Sequence, residues 1–345
     1  MRKLMRTVAP VVALAVVAAC SDEEITTPTA DIDASLAGNT TGWDLPASGA
    51  SFARAFPGRA CMDAAHREFD FWVGEWNVFD QTETIQTGTN LVLSLLDGCL
   101  VQENWAGSGG DYGRSLNVYD AETGLWNQSW VYQFPGLTLR TSGGLDADGV
   151  MVLEDDRRLT GGGATIFDTW LWEELEPGKV RQTGITDIPD LGINFAFVGI
   201  YIESDDVTPV PTGDFDQCEN GGFASGNRDG DFMVGSYTVV ANDAATVGTA
   251  EIFTDLEGCV FEEQFSTGTG LEAIAFTYFD PRDAGWHRIY VDSEGERVEV
   301  EGGLVGDAIV MTGTEHSRGR LVDIRITIAP TADGISQVWE VSTDG

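Results

Sequence analysis

The chain has 345 residues, 19 Lys and Arg against 56 Asp and Glu, a net charge of -37, and 42% hydrophobic with 10% aromatic residues. That much apolar and aromatic side chain supports packed cores and excludes wholesale disorder. The acidic balance excludes nucleic-acid binding, which needs a basic footprint.

Residues 1–19 read as an export signal. Arg2, Lys3 and Arg6 precede the apolar stretch Val8–Val17, which is too short to span a bilayer as a helix. Val17-Ala18-Ala19-Cys20 resembles a bacterial lipobox, which implies cleavage before Cys20 and a diacylglycerol anchor on it. Two or three acyl chains hold a membrane firmly where one does not. Ser21, not Asp, follows the cysteine, so the expected address is the cell envelope, at the outer membrane or cell surface. Cleavage leaves 16 basic and 56 acidic residues, with Lys179 the single lysine. Such a surface repels anionic headgroups, so the acyl chains are expected to make the membrane contact. The acidity itself favours solubility and suits a salty habitat, where cations screen self-repulsion.

Residues 20–60 carry the lipidated cysteine and a Thr-, Ser-, Ala-, Gly- and Pro-rich stretch without sustained period. This predicts a flexible tether spanning ~35 Å root-mean-square.

The remainder repeats itself. Asp70-Phe71-Trp72-Val73-Gly74 returns as Asp231-Phe232-Met233-Val234-Gly235, Gly98-Cys99 as Gly258-Cys259, Trp126 as Trp286, and Gly143-Gly144-Leu145 as Gly302-Gly303-Leu304. The ordered matches divide the chain into residues 61–203 and 213–345, with the Asp/Thr/Pro stretch 204–212 as linker. Within each copy the hydrophobic period is two. Copy one predicts strands at 75–80, 87–96, 99–105, 114–119, 125–132, 137–142, 150–154, 165–175, 179–187 and 193–203. Gly-containing turns such as Asp97-Gly98, Asp148-Gly149 and Pro177-Gly178 separate several of them. Strand following strand with almost no helix describes an all-β antiparallel meander, which closes most economically into an up-and-down barrel. Residues 62–69 alone look helical, a short plug before the first strand. Copy two stops at Gly345 after its ninth strand. The second barrel is therefore expected to have fewer strands, with a gap between its last and first. A C-terminal fragment is the favoured cause; an open barrel and an outside strand are the alternatives.

Phe69-Asp70-Phe71-Trp72-Val73-Gly74-Glu75-Trp76, Gly98-Cys99 with Glu103 and Trp105, and Tyr119-Asp120 followed by Trp126, Gln128 and Trp130 resemble a bacterial family of uncharacterised calycin-like (lipocalin-like) domains. The resemblance covers most of residues 61–203 and is weaker in copy two, where Tyr237 replaces Trp76 and Arg288 replaces Gln128. It implies a barrel with a lumen and a small apolar ligand, and it transfers no catalytic residue.

Cys61 and Cys99 fall in copy one, Cys218 and Cys259 at matching positions in copy two. Of three pairings, the repeat selects Cys61–Cys99 and Cys218–Cys259. Closing a loop of about 40 residues stabilises by ~4 kcal/mol in a chain-entropy account, and an exported protein suits disulfides. A cysteine metal site lacks CxxC spacing and nearby histidine.

Val101, Glu103 and Trp105 alternate, as do Phe261, Glu263 and Phe265, so each places one carboxylate on an otherwise apolar face, expected to be the lumen. Gln128 between Trp126 and Trp130, and Arg288 between Trp286 and Tyr290, supply partners for the two acids. The lumen candidates are thus Trp76, Glu103, Trp105, Gln128 and Trp130, with Tyr237, Glu263, Phe265, Arg288 and Tyr290 in copy two. The tryptophans fit a lined pocket or a filled core equally well. His287 is expected to face outward. No metal-ligand set, cofactor motif or catalytic signature is present in the sequence, and haem lacks a matched axial histidine. Three readings stand: lumen binding of a small, largely apolar ligand without catalysis, an interaction module with filled barrels, and an enzyme using Glu103.

Overall fold

Period-two alternation, broken by turns that demand left-handed backbone, leads the chain into strand after strand. The computed structural model describes residues 29–33, 61–133, 138–159, 165–205, 218, 225–240, 245–317 and 320–342. The export signal, Cys20 and most of the linker lie outside these residues. After a short first strand β1 (Thr29–Asp33), copy one forms β2 (Gly74–Phe79), β3 (Gln86–Leu95), β4 (Leu100–Gly107), β5 (Tyr112–Asp120), β6 (Leu125–Tyr132), β7 (Leu139–Leu145), β8 (Met151–Leu159), β9 (Thr165–Glu176), β10 (Lys179–Ile188) and β11 (Ile193–Glu203). Each is antiparallel to the next, and β11 returns to β2 through Ile200↔Phe79 to Glu203↔Trp76. The result is a closed ten-stranded barrel, with every sequence-predicted strand in place.

Copy two forms β12 (Gly235–Val240), β13 (Thr246–Asp255), β14 (Val260–Thr267), β15 (Glu272–Asp280), β16 (Gly285–Asp292), β17 (Arg297–Val305), β18 (Ala308–Ser317), β19 (Arg320–Pro330) and β20 (Ile335–Ser342). These nine strands curl into a half-barrel, and no ladder joins β20 to β12 among the described residues. The expected shortfall and gap are thus present. The free edge of β12 carries β1, paired parallel from Thr29↔Ser236 to Asp33↔Val240, and β1 comes within 8 Å of β20 between Cα atoms. A strand of five residues from the stretch read as tether thus covers the edge of β12, while the sheet stays open between β1 and β20 among the described residues.

The plug is shorter in regular structure than a helix over 62–69 predicts. It consists of two 3-10 turns, Ala65–Arg67 and Asp70–Trp72, which drop Phe69 and Trp72 into the barrel's end, both fully buried. The disulfides pair as the repeat selects, Cys61–Cys99 and Cys218–Cys259, with Cα–Cα distances of 4.9 and 5.1 Å. Each follows a tight turn in which Leu96 and Asp97, or Leu256 and Glu257, adopt left-handed backbone (φ 51–55°). A leucine there costs about 1–2 kcal/mol, and the adjoining disulfide helps hold the turn.

The two barrels pack side by side. The outward faces of β4 to β6 (Leu100, Leu116, Val118, Val131) and of β14 to β16 (Val260, Ile274, Phe276, Ile289, Val291) share one buried apolar cluster with all four cysteines. Cys99 Sγ lies 3.4 Å from the Ser293 carbonyl in the β16–β17 hairpin, and Cys259 Sγ lies 3.1 Å from the Gln133 carbonyl after β6. Each disulfide, at the plugged end of its own barrel, therefore meets a turn at the far end of the other. The barrels lie head to tail, with their mouths pointing in opposite directions.

Candidate functional site

Alternation places three tiers of side chains inside barrel 1. The floor is aromatic: Phe69 stacks on Trp72 (5.0 Å between ring centroids) and meets Trp126 and Trp172 edge-on at 5.5 and 5.2 Å. Trp76 belongs to this floor. Its Nε1–H donates to the Trp72 carbonyl at 3.0 Å, locking the plug to β2. Tyr237 does the same in barrel 2, donating at 2.8 Å to the carbonyl of Met233, the last residue of the 3-10 helix Ser225–Met233 that plugs it before β12. These two lumen candidates thus hold the plugs.

Above the floor lies a polar tier. Glu103 is 2% exposed. It accepts from Asn90 Nδ2 at 2.7 Å and from Ser115 Oγ at 2.8 Å. Asn117 Nδ2 donates to Ser115 Oγ, and Gln128 Nε2 donates to Asn117 Oδ1, both at 2.9 Å. The Glu103–Gln128 contact expected from sequence is therefore relayed through Asn117 and Ser115, because Gln128 stands diagonally across the ladder from Glu103 and its amide falls short of spanning the diagonal. On the other side Asn90 reaches the Tyr201 hydroxyl at 3.4 Å, and that hydroxyl donates to Gln182. Burial pushes the Glu103 carboxyl up to about 7, against the opposing pull of Asn90, Ser115 and the Arg114 charge. Burial likewise raises the Tyr201 phenol, helped by the neighbouring Glu103.

The upper tier is aromatic again and half-buried. An added Cβ at Gly88 would meet the Trp105 ring at 2.3 Å, at Gly113 the Trp130 ring at 2.1 Å, and at Gly184 the Trp170 ring at 2.7 Å. Three indoles therefore lie against bare backbone on a neighbouring strand, which keeps them along the wall and out of the axis. Trp105 Nε1–H and the Tyr132 hydroxyl both donate to Asp111, at 3.0 and 2.9 Å. Strands β8 to β11 run on past the shorter β2, which pairs only with the last four residues of β11. Their overhang puts Ile193 and Phe195, 46% and 62% exposed, on the lumen side above Phe197. Among buried polar atoms, Asn90 Oδ1, Thr141 Oγ1 and Trp170 Nε1 have no protein partner, and all three belong to inward-facing positions at or above the Glu103 tier.

Barrel 2 keeps the carboxylate and changes its surroundings. Arg288 Nη2 donates to Glu263 at 2.8 Å, and Nη1 to Thr277 Oγ1 at 2.8 Å, so the sequence-expected charged pair forms. Around it pack Ile252, Val298, Val300, Ile309, Met311, Ile324, Ile326 and Ile328, all buried, with Phe265 partly buried at their edge. The Tyr290 ring meets Trp339 edge-on at 5.0 Å. Isoleucine and valine dominate this interior beside Phe261 and Trp286.

His287 does face away from its lumen, yet it is buried, because barrel 1 covers it. Arg140 Nη2 donates to His287 Nδ1 at 2.8 Å, which places the ring proton on Nε2, donated to Asp283 at 3.0 Å. Burial, then the Arg140 charge, lowers the imidazole below its ordinary value. Asp283, His287 and Glu301 converge closely enough to hold a metal ion, but the Arg140 guanidinium already stands among them as the cation. Sequence reasoning missed this cluster, since no motif marks a surface that a second domain covers. Asn227 ties the segment before β12 to two strands: its amide donates to the Gly258 carbonyl at 3.0 Å and its oxygen accepts from the Phe279 amide at 2.9 Å.

No helix among the described residues is long and apolar enough to cross a membrane. The chain matches no protein-family model and no curated protein.

Proposed function

We propose that this is a lipid-anchored envelope protein of two tandem calycin-like barrels, in which barrel 1 binds a small, largely apolar molecule without transforming it. One observation carries the binding reading. The barrel 1 lumen combines wall-lying indoles at its mouth with inward polar atoms that the protein itself leaves unbonded, a composition typical of small-molecule sites. Barrel 2, whose inward acid is already paired with Arg288, serves as the packing partner. Catalysis is disfavoured because Glu103 is bonded to an amide and a hydroxyl, and the neighbouring Tyr201 phenol is raised further from neutral pH by burial, where it serves poorly as a second acid or base. The lipobox, the disulfides and the acidic surface support export and acyl anchoring.

Native mass spectrometry of the protein purified from its source membrane tests this reading. A retained small molecule is expected. Gly113→Ala, whose Cβ would press on the Trp130 ring and push it into the mouth, should cut retention. A chain carrying no added mass beyond its acyl groups sinks the binding reading and favours the interaction module.

A further inference from the structure

The barrels place a glutamate at the same station, one strand after the disulfide turn, and treat its charge in opposite ways. In barrel 2 the guanidinium of Arg288 neutralises Glu263 at 2.8 Å. In barrel 1 the residue at that station is Gln128, spent on Asn117, and both donors to Glu103 are neutral groups. The barrel 1 cations with described side chains, which Arg157 and Arg158 on β8 are not, are engaged elsewhere. Arg67 pairs with Asp70, Arg114 with Asp255, Lys179 with Glu83 and Arg181 with Glu173, while Arg140 enters the interface between the barrels.

Deepening the reading of barrel 1 as a ligand site, and resting on it, we propose that its ligand is an amine: a primary ammonium on an apolar body, with the ammonium seated on Glu103. The chemistry of the tier selects this class. A buried carboxylate without a counter-ion is stabilised most by a cation that brings its own hydrogen-bond donors. An ammonium offers three donors, and the acceptors present are the two Glu103 oxygens and Asn90 Oδ1, which is buried and has no protein partner. Trp105 follows Glu103 by two residues on the inward face of β4, and Trp130 pairs with Ser115, so both indoles border the tier with rings that attract a cation and area to cover an apolar body. The strongly acidic surface draws cations toward the mouth and repels anions. A carboxylate ligand would set like charges together, and a neutral alcohol gains no ion pair. Glu103 titrates near 7 in the free protein through burial, so an incoming ammonium readily holds it ionised.

Titration calorimetry of the full protein at neutral pH with phenethylamine, phenethyl alcohol and phenylacetate tests the proposal. Phenethylamine should bind about tenfold or more tightly than the alcohol, the equivalent of ~1.4 kcal/mol, and phenylacetate should not bind. Glu103→Gln should erase the advantage of the amine over the alcohol. Gln128→Arg, which installs the pair found in barrel 2, should abolish amine binding while the melting temperature holds or rises. Equal binding of amine and alcohol, unchanged by Glu103→Gln, overturns the amine and leaves the lumen reading standing. Binding of none of the three also overturns it, and the mass spectrometry above then decides the lumen reading separately.

Discussion

Around Glu103 the first barrel assembles an asparagine, a serine, a second asparagine and a glutamine; around Glu263 the second assembles one arginine, one threonine and a wall of isoleucine and valine. The strand order is shared and the disulfides fall at matching turns, so the difference arises from a few inward side chains. One glutamine-for-arginine difference decides whether an interior acid is balanced by the protein or left for something else. The surrounding residues follow: an internally balanced acid tolerates a tight aliphatic packing, whereas a hydrogen-bonded chain of amides needs polar neighbours throughout.

The largest expected effect breaks the balanced side. Arg288→Leu leaves Glu263 buried without its cation and should cost about 3–5 kcal/mol. Gln128→Leu at the matching position of barrel 1 orphans only Asn117 Oδ1, at about 1–3 kcal/mol. Chemical denaturation of both variants measures the contrast, and equal losses would falsify the assignment of different electrostatics to the two lumens.

Next in size is the disulfide of barrel 1. Replacing Cys61 and Cys99 together by serine opens a loop of 38 residues and should cost about 2–4 kcal/mol. Because Cys99 also abuts the Ser293 turn of barrel 2, hydrogen exchange should quicken in the β16–β17 hairpin as well as in β4. Faster exchange confined to barrel 1 would show that the barrels are less coupled than their contacts suggest.

A smaller effect lies in the pH dependence that the first barrel's acid confers. The Glu103 pKa is raised on folding from an unfolded value of about 4.3 to about 7. Its proton therefore favours the native state fully below the unfolded value, and that contribution is lost as pH rises through the folded value. Stability should fall between pH ~4 and ~8, and Glu103→Gln should flatten the fall, leaving the variant more stable than the parent at pH ~8 by about 1–3 kcal/mol. Asp292, which burial also raises to about 7, adds to the slope that remains, and the lowered His287 opposes it. A slope unaffected by Glu103→Gln would place the titration elsewhere.

The smallest effect concerns the added edge. Deleting residues 29–33 removes the ladder with β12 and should cost about 1 kcal/mol, the scale of a few backbone hydrogen bonds. The loss should show as faster exchange at Ser236–Val240. Unchanged exchange there would argue that β12 keeps a free edge in solution.

The barrel was legible because period-two alternation and Gly turns act locally. Gly98-Cys99 and Gly258-Cys259 fix hairpins wherever they occur, and the repeat turns two of them into a disulfide assignment. Glu103 and Glu263 were legible as inward acids for the same reason. What escaped the sequence depends on diagonals and on the second barrel. Asn90 and Ser115 reach Glu103 from strands on either side, and an isolated asparagine or serine in a strand carries no mark of that. Leu116, Val118 and Val131 alternate with inward residues and so read as surface, although the other barrel buries them. Arg140 and His287 are hidden in the same way, since their partners lie some 150 positions away along the chain.

The head-to-tail contact also bears on how such a chain can be inherited. Each barrel presents an oily strip on its flank, and each covers the strip of the other, together with that barrel's disulfide turn. A rearrangement that kept one copy would release a unit bare along one side. It would need a second flank at once, from another copy or another protein. Loss of either half is therefore penalised from the first generation, while the lumens stay free to diverge, since neither takes part in the shared wall. Two interiors of opposite character can persist side by side because the exteriors hold each other in place.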